Sequence, residues 1–391
     1  MPFPTWLPAL LGILSAVGPL STDMYLPAFP AIEASFGGRA GTAQMTLAAW
    51  FAGLAVGQLT QGTLSDRYGR RGPLIVGTAI YTIASAGCAL APDLASLSVC
   101  RLIAAFGGSA SMVIPRAIIR DLADGHAAAR LMSRLMLVMG VAPILAPTLG
   151  GIILGAATWH AIFWIATVYG AICCVVVWLV LPDTLPRERR VKLSLNGMAV
   201  RYAAILRERN FLTHALMGAF AMFGMFAFLG GSPDVFISLY HLSPGVYGGL
   251  FGCSAFGFIT ASQISPRLLP RFGAERVMRI AVRVFLCATI FLTVVSFVHP
   301  HSWIWVAVPI FFSMGSQGFT MPNATVGALT RHAAHAGSAS ALMGTLQFCV
   351  GAMSGVLVGL ASDGTARPMA ILMLVGAIGA VTADLCRPAR A

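Results

Sequence analysis

The chain has 391 residues, of which 58% are hydrophobic and only 10% charged, and its 25 Lys and Arg against 13 Asp and Glu leave a formal charge of +12. Soluble domains carry about 25% charged residues, so this composition, with a mean hydropathy of +0.83, excludes a single water-soluble core and makes a lipid bilayer the expected surrounding. The positive balance does not point to nucleic acid, because such a footprint gathers on one soluble face, whereas here the basic residues fall in short gaps between apolar runs.

Each apolar run is about 20 residues long, enough at 1.5 Å per residue to cross a hydrocarbon layer of about 30 Å. A helix is the element that satisfies its own backbone there. In chain order the runs predict twelve spans, at 6–28, 42–62, 73–91, 95–117, 133–156, 161–181, 211–231, 246–266, 277–298, 302–322, 337–360 and 367–386. Residues Met1 to Ala9 hold no basic stretch ahead of the first run, so that helix is expected to be retained and not cleaved as a signal. The longest polar stretch, Pro182 to Asn210, divides the spans six and six. The expected plan is an all-α membrane protein with an N-terminal six-helix bundle (1–181), a linker (182–210) and a C-terminal six-helix bundle (211–391).

Twenty-one of the 25 basic residues fall in one set of alternate loops and at the C-terminus, from Arg67, Arg70 and Arg71 through the linker to Arg387 and Arg390. Only Arg39 and Arg367 lie on the opposite side, and Arg101 and Arg283 lie within spans. The positive-inside rule then makes the basic face, the linker and both termini cytoplasmic.

Span one carries Leu20-Ser-Thr-Asp23-Met-Tyr25-Leu-Pro27-Ala-Phe-Pro30. A carboxylate inside a span costs a few kcal/mol on insertion scales, which makes Asp23 a functional candidate. It lies about 5 residues, or roughly 8 Å, below the outer end of span one. Arg101 lies about 6 residues below the outer end of span four, at a similar depth. The two are expected to pair, giving a proton site whose carboxylate responds to whether Arg101 or substrate is near. A static pair that only holds two helices together would leave the same mark in the sequence.

Between spans two and three stands Gly62-Thr-Leu-Ser-Asp66-Arg67-Tyr-Gly69-Arg70-Arg71. Its glycines permit a tight turn and close helix approach, Asp66 can sit at a helix N-terminus, and the arginines can bond carboxylates or carbonyls. The segment resembles the signature loop of the major facilitator superfamily. That resemblance implies two helical bundles around a central cavity, with this loop as a conformational gate and Asp121, at the end of span four, as its candidate partner. A weaker echo, Pro266-Arg-Leu-Leu-Pro-Arg271-Phe-Gly273-Ala-Glu275, stands 204 positions later, where a duplication of six spans would put it.

Span five contains Ala142-Pro-Ile-Leu-Ala146-Pro147-Thr-Leu-Gly150-Gly151, which looks like the motif of antiporters in the drug-exporting branches, with Ala142 and Ala146 in place of two glycines. Pro147 is expected to bend this helix and Gly150 and Gly151 to let a neighbour approach. With the Asp23 segment and Arg101-Leu-Ile-Ala104-Ala105-Phe-Gly107, the whole chain resembles the bicyclomycin-resistance (Bcr/CflA) multidrug efflux group. Ala104 and Ala105 depart from that group, which puts a polar substrate contact in doubt.

Tyr25, Arg116, Phe223, Phe226, Gln317 and Gln347 are the candidates to line a substrate cavity, with Gln58, Gln61 and Asn323 weaker and Arg283 placed to snorkel. The span-seven run Phe220 to Phe228 suits loosely specified apolar ligands, though lipid-facing packing would read the same. His299, His301, His332 and His335 fall in loops, and eight cysteines lie in or beside apolar runs with no paired spacing, so neither a metal site nor a disulfide framework is expected. No Gly-rich Lys-Ser/Thr phosphate loop occurs, which argues against ATP as the energy source.

The expectation is a proton-coupled antiporter, not an enzyme and without a cofactor, that exports small molecules from the bacterial inner membrane by alternating access and works as a monomer. A metabolite exporter or importer on the same fold remains an alternative, and a non-transporting receptor a more distant one.

Overall fold

A computed structural model describes residues 6–38, 41–122, 125–190, 195–298, 301–331 and 336–387, and all regular structure among them is helical. Arg39, Lys192, His299, His332, His335 and Arg390 lie outside the described residues. The first run forms α1 (Leu7–Ser15), α2 (Val17–Asp23), a 3-10 turn (Leu26–Ala28) and α3 (Phe29–Ser35). The first bundle continues with α4 (Ala43–Tyr68), α5 (Arg71–Ala89), α6 (Leu94–Leu122), α7 (Gly125–Ala156) and α8 (His160–Val180). Within the linker lies α9 (Leu195–Arg207), a helix that the polar composition of this stretch does not announce. The second bundle holds α10 (Arg209–Pro233), a π turn (Asp234–Leu239), α11 (Pro244–Phe272), α12 (Ala274–Val298), α13 (Ile304–Leu329), α14 (Ala336–Ala361) and α15 (Arg367–Leu385).

Every one of the twelve expected stretches falls on helix, and among the described residues nine helices are long and apolar enough to cross a membrane. The first span departs most from expectation. It runs on to Ser35 instead of ending near 28, and it is broken between Asp23 and Leu26. Pro27 and Pro30 explain this: neither has an N–H to give to the preceding turn, and each sits where a new helical piece begins. Span seven likewise outruns its expected end at 231, because beyond Pro233 the chain winds on as a π turn that opens with Asp234.

Apolar side chains left exposed at helical spacing mark the lipid-facing surface, as on α8, where Ile165, Val168, Ile172 and Val175 are each more than 40% exposed. The span-seven aromatics do not belong to that surface. Phe223, Phe226 and Phe228 are buried, which removes the lipid-packing reading of that run. One apolar cluster fills each bundle near the linker end, around Leu11, Ile114 and Val177 in the first and Met278, Phe285 and Ala380 in the second. A third cluster, including Tyr25, Trp50, Phe226, Tyr247 and Met369, joins the two.

The bundles meet through α4 against α14 and α7 against α11. The two segments of the 204-residue echo share one backbone feature. Gly69 (φ +93°) ends α4 and Gly273 (φ +73°) ends α11, each in a conformation that a side chain rarely adopts.

Candidate functional site

Asp23 is the last residue of α2, 7% exposed, at the break in the first span. Arg101 is 2% exposed on α6. The structure brings the two segments together but does not join the charges: among the described residues no ion pair links them. Arg101 instead donates from Nη1 to the carbonyl of Ser21 at 2.8 Å. Its guanidinium carbon lies 4.4 Å from the ring centroids of both Tyr25 and Trp50 and 5.9 Å from that of Phe163. Aromatic faces attract a cation through their quadrupole, so this cage holds Arg101 without a carboxylate. Its Nε and Nη2 are buried with no partner. Trp50 is a neighbour of Arg101 that the sequence does not reveal, since nothing in its spacing marks it as a cover for that guanidinium. Tyr25 is fully buried, with its hydroxyl bonded to Thr46.

The α7 motif lies directly against this region. A Cβ on Gly150 would overlap the carbonyl of Met24, the residue after Asp23, and one on Gly151 would lie 2.6 Å from the carbonyl of Pro244, at the start of α11. From the other side, a Cβ on Gly248 of α11 would lie 2.7 Å from the carbonyl of Pro147. The two glycines therefore fit α7 between the broken span and the opposite bundle, and larger residues would force both apart.

At the linker end, Arg70 gathers the signature loop. Its side chain is 6% exposed. It grips Asp121 through Nε at 2.7 Å and Nη2 at 3.2 Å, while Nη1 donates to Ser65 at 2.8 Å and also to Asp66. Two parallel bonds to one carboxylate fix orientation as well as charge. Arg71 donates to the carbonyl of Trp178, and Arg67 lies over the Tyr68 ring at 5.3 Å.

Asp66 does not cap its own helix; it sits in the last turn of α4, its side chain 44% exposed. Gly62 has room, since a Cβ added there would meet only Val113, at 3.7 Å, so it is not a close-approach position in this conformation. Asp183, absent from the candidates above, accepts the Arg70 backbone N–H at 2.9 Å and pairs with Arg190 at 2.7 Å. Its signal in the sequence is an acid just after span six, at the head of a linker in which basic residues outnumber acidic ones.

Between this loop and the first turns of α14 the bundles part around a cleft of about 240 Å³ lined by Gln58, Asp66, Arg116, Arg120, Tyr202 and Ser338. One to two turns along α4 the gap is closed by aromatic rings. Phe51 and Phe226 stack at 3.7 Å, with Phe348 of α14 beside both. Phe226 and Arg116 thus border the space between the bundles, while Phe223 is buried within the second. Gln347 lies against Gly218 of α10. Gln317 is fully buried, with neither end of its amide bonded. Gln61 reaches the Phe106 carbonyl at 3.4 Å, Asn323 bonds Ser265 at 2.7 Å, and Arg283 lines an outer groove between α12 and α13.

At the far end the bundles are shut. Gln44 of α4 bonds the carbonyl of Gly230 at 3.0 Å and Asp234 at 2.9 Å, and the backbones of Gly41 and Gly359 touch. The structure is therefore closed on one face and cleft on the other.

A sequence profile described as Major Facilitator Superfamily matches residues 11–356. The chain is 36% identical over 372 residues to the uncharacterized MFS-type transporter YdgK of Bacillus subtilis (strain 168), covering 94% of this chain and 92% of that one. It is 30% identical to a bicyclomycin resistance protein homolog of Haemophilus influenzae, over 93% and 91% of the two chains. Among solved structures, a bacterial homolog of the human lysosomal transporter Spinster superposes with a TM-score of 0.76 at 15% identity, over 99% of this chain and 96% of that one.

Proposed function

We propose that this chain, which belongs to the Major Facilitator Superfamily, is a proton-driven exporter of small molecules, with twelve crossings of a bacterial inner membrane and both termini in the cytoplasm. Membership makes it a multi-pass transporter and not an enzyme. Export is favoured by the likeness to a bicyclomycin resistance protein homolog and by the glycine-mediated seat of α7.

The observation that carries proton coupling is Asp23. It is a buried carboxylate with no cation at ion-pair distance among the described residues, beside an arginine parked on aromatic faces. A buried anion without a partner is expensive, so this arrangement suits neutral Asp23. Loss of the proton would draw Arg101 off Tyr25 and Trp50 toward the carboxylate, moving α6 relative to the broken span. That difference in contacts between two states is what coupling requires. Because Gly150 abuts Met24 and Gly151 abuts Pro244, a shift at the break is passed to α7 and then to α11 in the opposite bundle.

With the basic face inside, the cleft opens to the cytoplasm and the shut face looks outward. Substrate enters beside Gln58 and Arg116 and reaches the Phe51, Phe226 and Phe348 rings, a surface suited to apolar or zwitterionic compounds. The test is uptake of bicyclomycin, and of a panel including metabolites, into inverted vesicles with an acidified lumen. Asp23→Asn and Arg101→Ala are expected to lose gradient-driven uptake while Asp23→Asn keeps exchange of labelled for unlabelled substrate. Full gradient-driven uptake by Asp23→Asn would overturn the proton role.

A further inference from the structure

A second carboxylate is buried where the bundles meet, far from the signature loop. Asp234 opens the π turn after Pro233 and is 9% exposed. Gln44, fully buried near the start of α4, donates from Nε2 to Asp234 Oδ2 at 2.9 Å and to the carbonyl of Gly230 at 3.0 Å. Ser362, just beyond α14, donates to the same Oδ2 at 3.3 Å. The remaining two oxygens, Asp234 Oδ1 and Gln44 Oε1, are both buried and both without a partner. Turning the amide over does not relieve this. Nε2 lies between a carbonyl and a carboxylate, both acceptors, and the flip would put an oxygen there.

Among the described residues the surroundings supply no counter-charge to Asp234. Glu33 of α3 spends its carboxylate on the backbone N–H groups of Gly41 and Ala43, at 2.9 and 3.0 Å. Tyr247 of α11 bonds Ser232 at 2.9 Å. Asp363, next to Ser362, bonds Thr365, and Arg367 at the start of α15 lies over Phe297. The 3-10 turn Leu26–Ala28 has no titratable side chain. Among the described residues no Lys, Arg or His pairs with Asp234. Two side chains already joined across the bundles thus each keep one buried acceptor with no donor, and a single proton would provide it.

We propose that Asp234 is a proton-binding site separate from Asp23, and that its proton, shared from the carboxyl group toward the Gln44 amide, latches the outer gate shut. The proton comes from the outside medium and leaves to it, with no other bond made or broken. Opening the gate separates Asp234 from Gln44 and gives the carboxylate water, so it ionises. The ionised form restores two acceptors without donors if the gate recloses, so reclosure waits for a proton. Lower external pH therefore favours the closed gate. This direction rests on the alternating-access reading above; the presence of the proton in the closed state does not.

Infrared difference spectra of the purified protein in lipid nanodiscs, between acid and alkaline buffer, use the proton itself as the probe. The expected result is a protonated-carboxyl C=O band that is lost in Asp234→Asn, retained in Asp23→Asn and displaced in Gln44→Leu. Asparagine can both accept from and donate to Gln44, so Asp234→Asn should fold, as a thermal unfolding scan checks. Spin labels on Ala34→Cys and Ser238→Cys, exposed positions on the two sides of the gate, are placed in a background without native cysteines. Their separation should shorten as pH falls in the otherwise wild-type chain and stay short at all pH in Asp234→Asn. An Asp234→Asn spectrum with every wild-type carboxyl band overturns the site, and a separation that ignores pH overturns the latch. If Asp23→Asn transports normally yet the Asp234 band is present, the coupling role of Asp23 fails and this proposal stands.

Discussion

Gly69 shows what a single residue can decide at the linker end. Its backbone (φ +93°, ψ 170°) belongs to a region open almost only to glycine, and a Cβ there would overlap the carboxylate of Asp183. Gly69→Ala is therefore expected to cost about 1–3 kcal/mol from strain alone and to loosen the linker from the loop, seen as a lower unfolding midpoint and faster proteolysis near Asp183. Asp121→Ala should cost less than the roughly 3–5 kcal/mol of a buried pair that loses its only partner, because Asp66 and Ser65 still hold Arg70. Thermal unfolding of the two single variants and the double variant Asp66→Ala/Asp121→Ala checks this; the double should exceed the sum of the singles. The residues that are legible in the sequence are those whose chemistry is costly in lipid: Asp23 and Arg101 stand out because a charge in an apolar run is conspicuous. Their lack of pairing is not legible. It depends on three aromatic rings from α4, α8 and the broken span converging on one guanidinium, and no spacing rule brings Trp50 to Arg101.

At the scale of elements, apolar periodicity places helix on all twelve stretches but stops several of them short, as at α4, α6, α11 and α13, which run five to seven residues past their expected ends. Proline explains two of the misses, in the first and seventh spans. Pro27 and Pro30 start new pieces in the first span and so extend it to Ser35, and Pro233 leads into the π turn that carries Asp234 inward. An end point set by counting apolar residues stops short of Asp234, so its contact with Gln44 is invisible in the sequence while the loop between α4 and α5, with its dense motif, is not.

The α7 helix is one of the two helices of the first bundle, with α4, that pack most extensively against the second. Gly150→Leu should push α7 off the Met24 carbonyl and off α11, and the expectation is a loss of transport greater than tenfold with the protein still inserted and folded. Phe226→Ala should remove the stack on Phe51 and cost about 3–5 kcal/mol if the site does not collapse. It is also expected to open a path between the cleft and the outer gate, read as increased labelling of a cysteine at position 51 from the cytoplasmic side.

Over the whole molecule, the weak sequence echo carries a shared backbone feature. Gly69 and Gly273 end corresponding helices in the same unusual conformation, yet only the first is packed by a carboxylate, and a Cβ on Gly273 would meet open space. The turn is common to both segments, while the charged contact at the glycine is made at only one of them. The distribution of basic residues sets the proposed orientation, and a cysteine at Arg271, near the end of α11, should react with membrane-impermeant reagent only from the cytoplasmic side. How far the two bundles part on the linker face cannot be read from the sequence, since the cleft depends on the relative placement of α4, α6, α9 and α14.

The most direct test of the central claim is proton movement during transport. Inverted vesicles containing the purified protein are given an acid lumen reported by a trapped pH dye, and bicyclomycin or another transported compound is added outside. Coupled export predicts that the compound accumulates in the lumen while the lumen loses acid, that a protonophore abolishes the accumulation, and that Asp23→Asn shows neither change. Accumulation that proceeds without any loss of lumenal acid, or that is untouched by the protonophore, would contradict it.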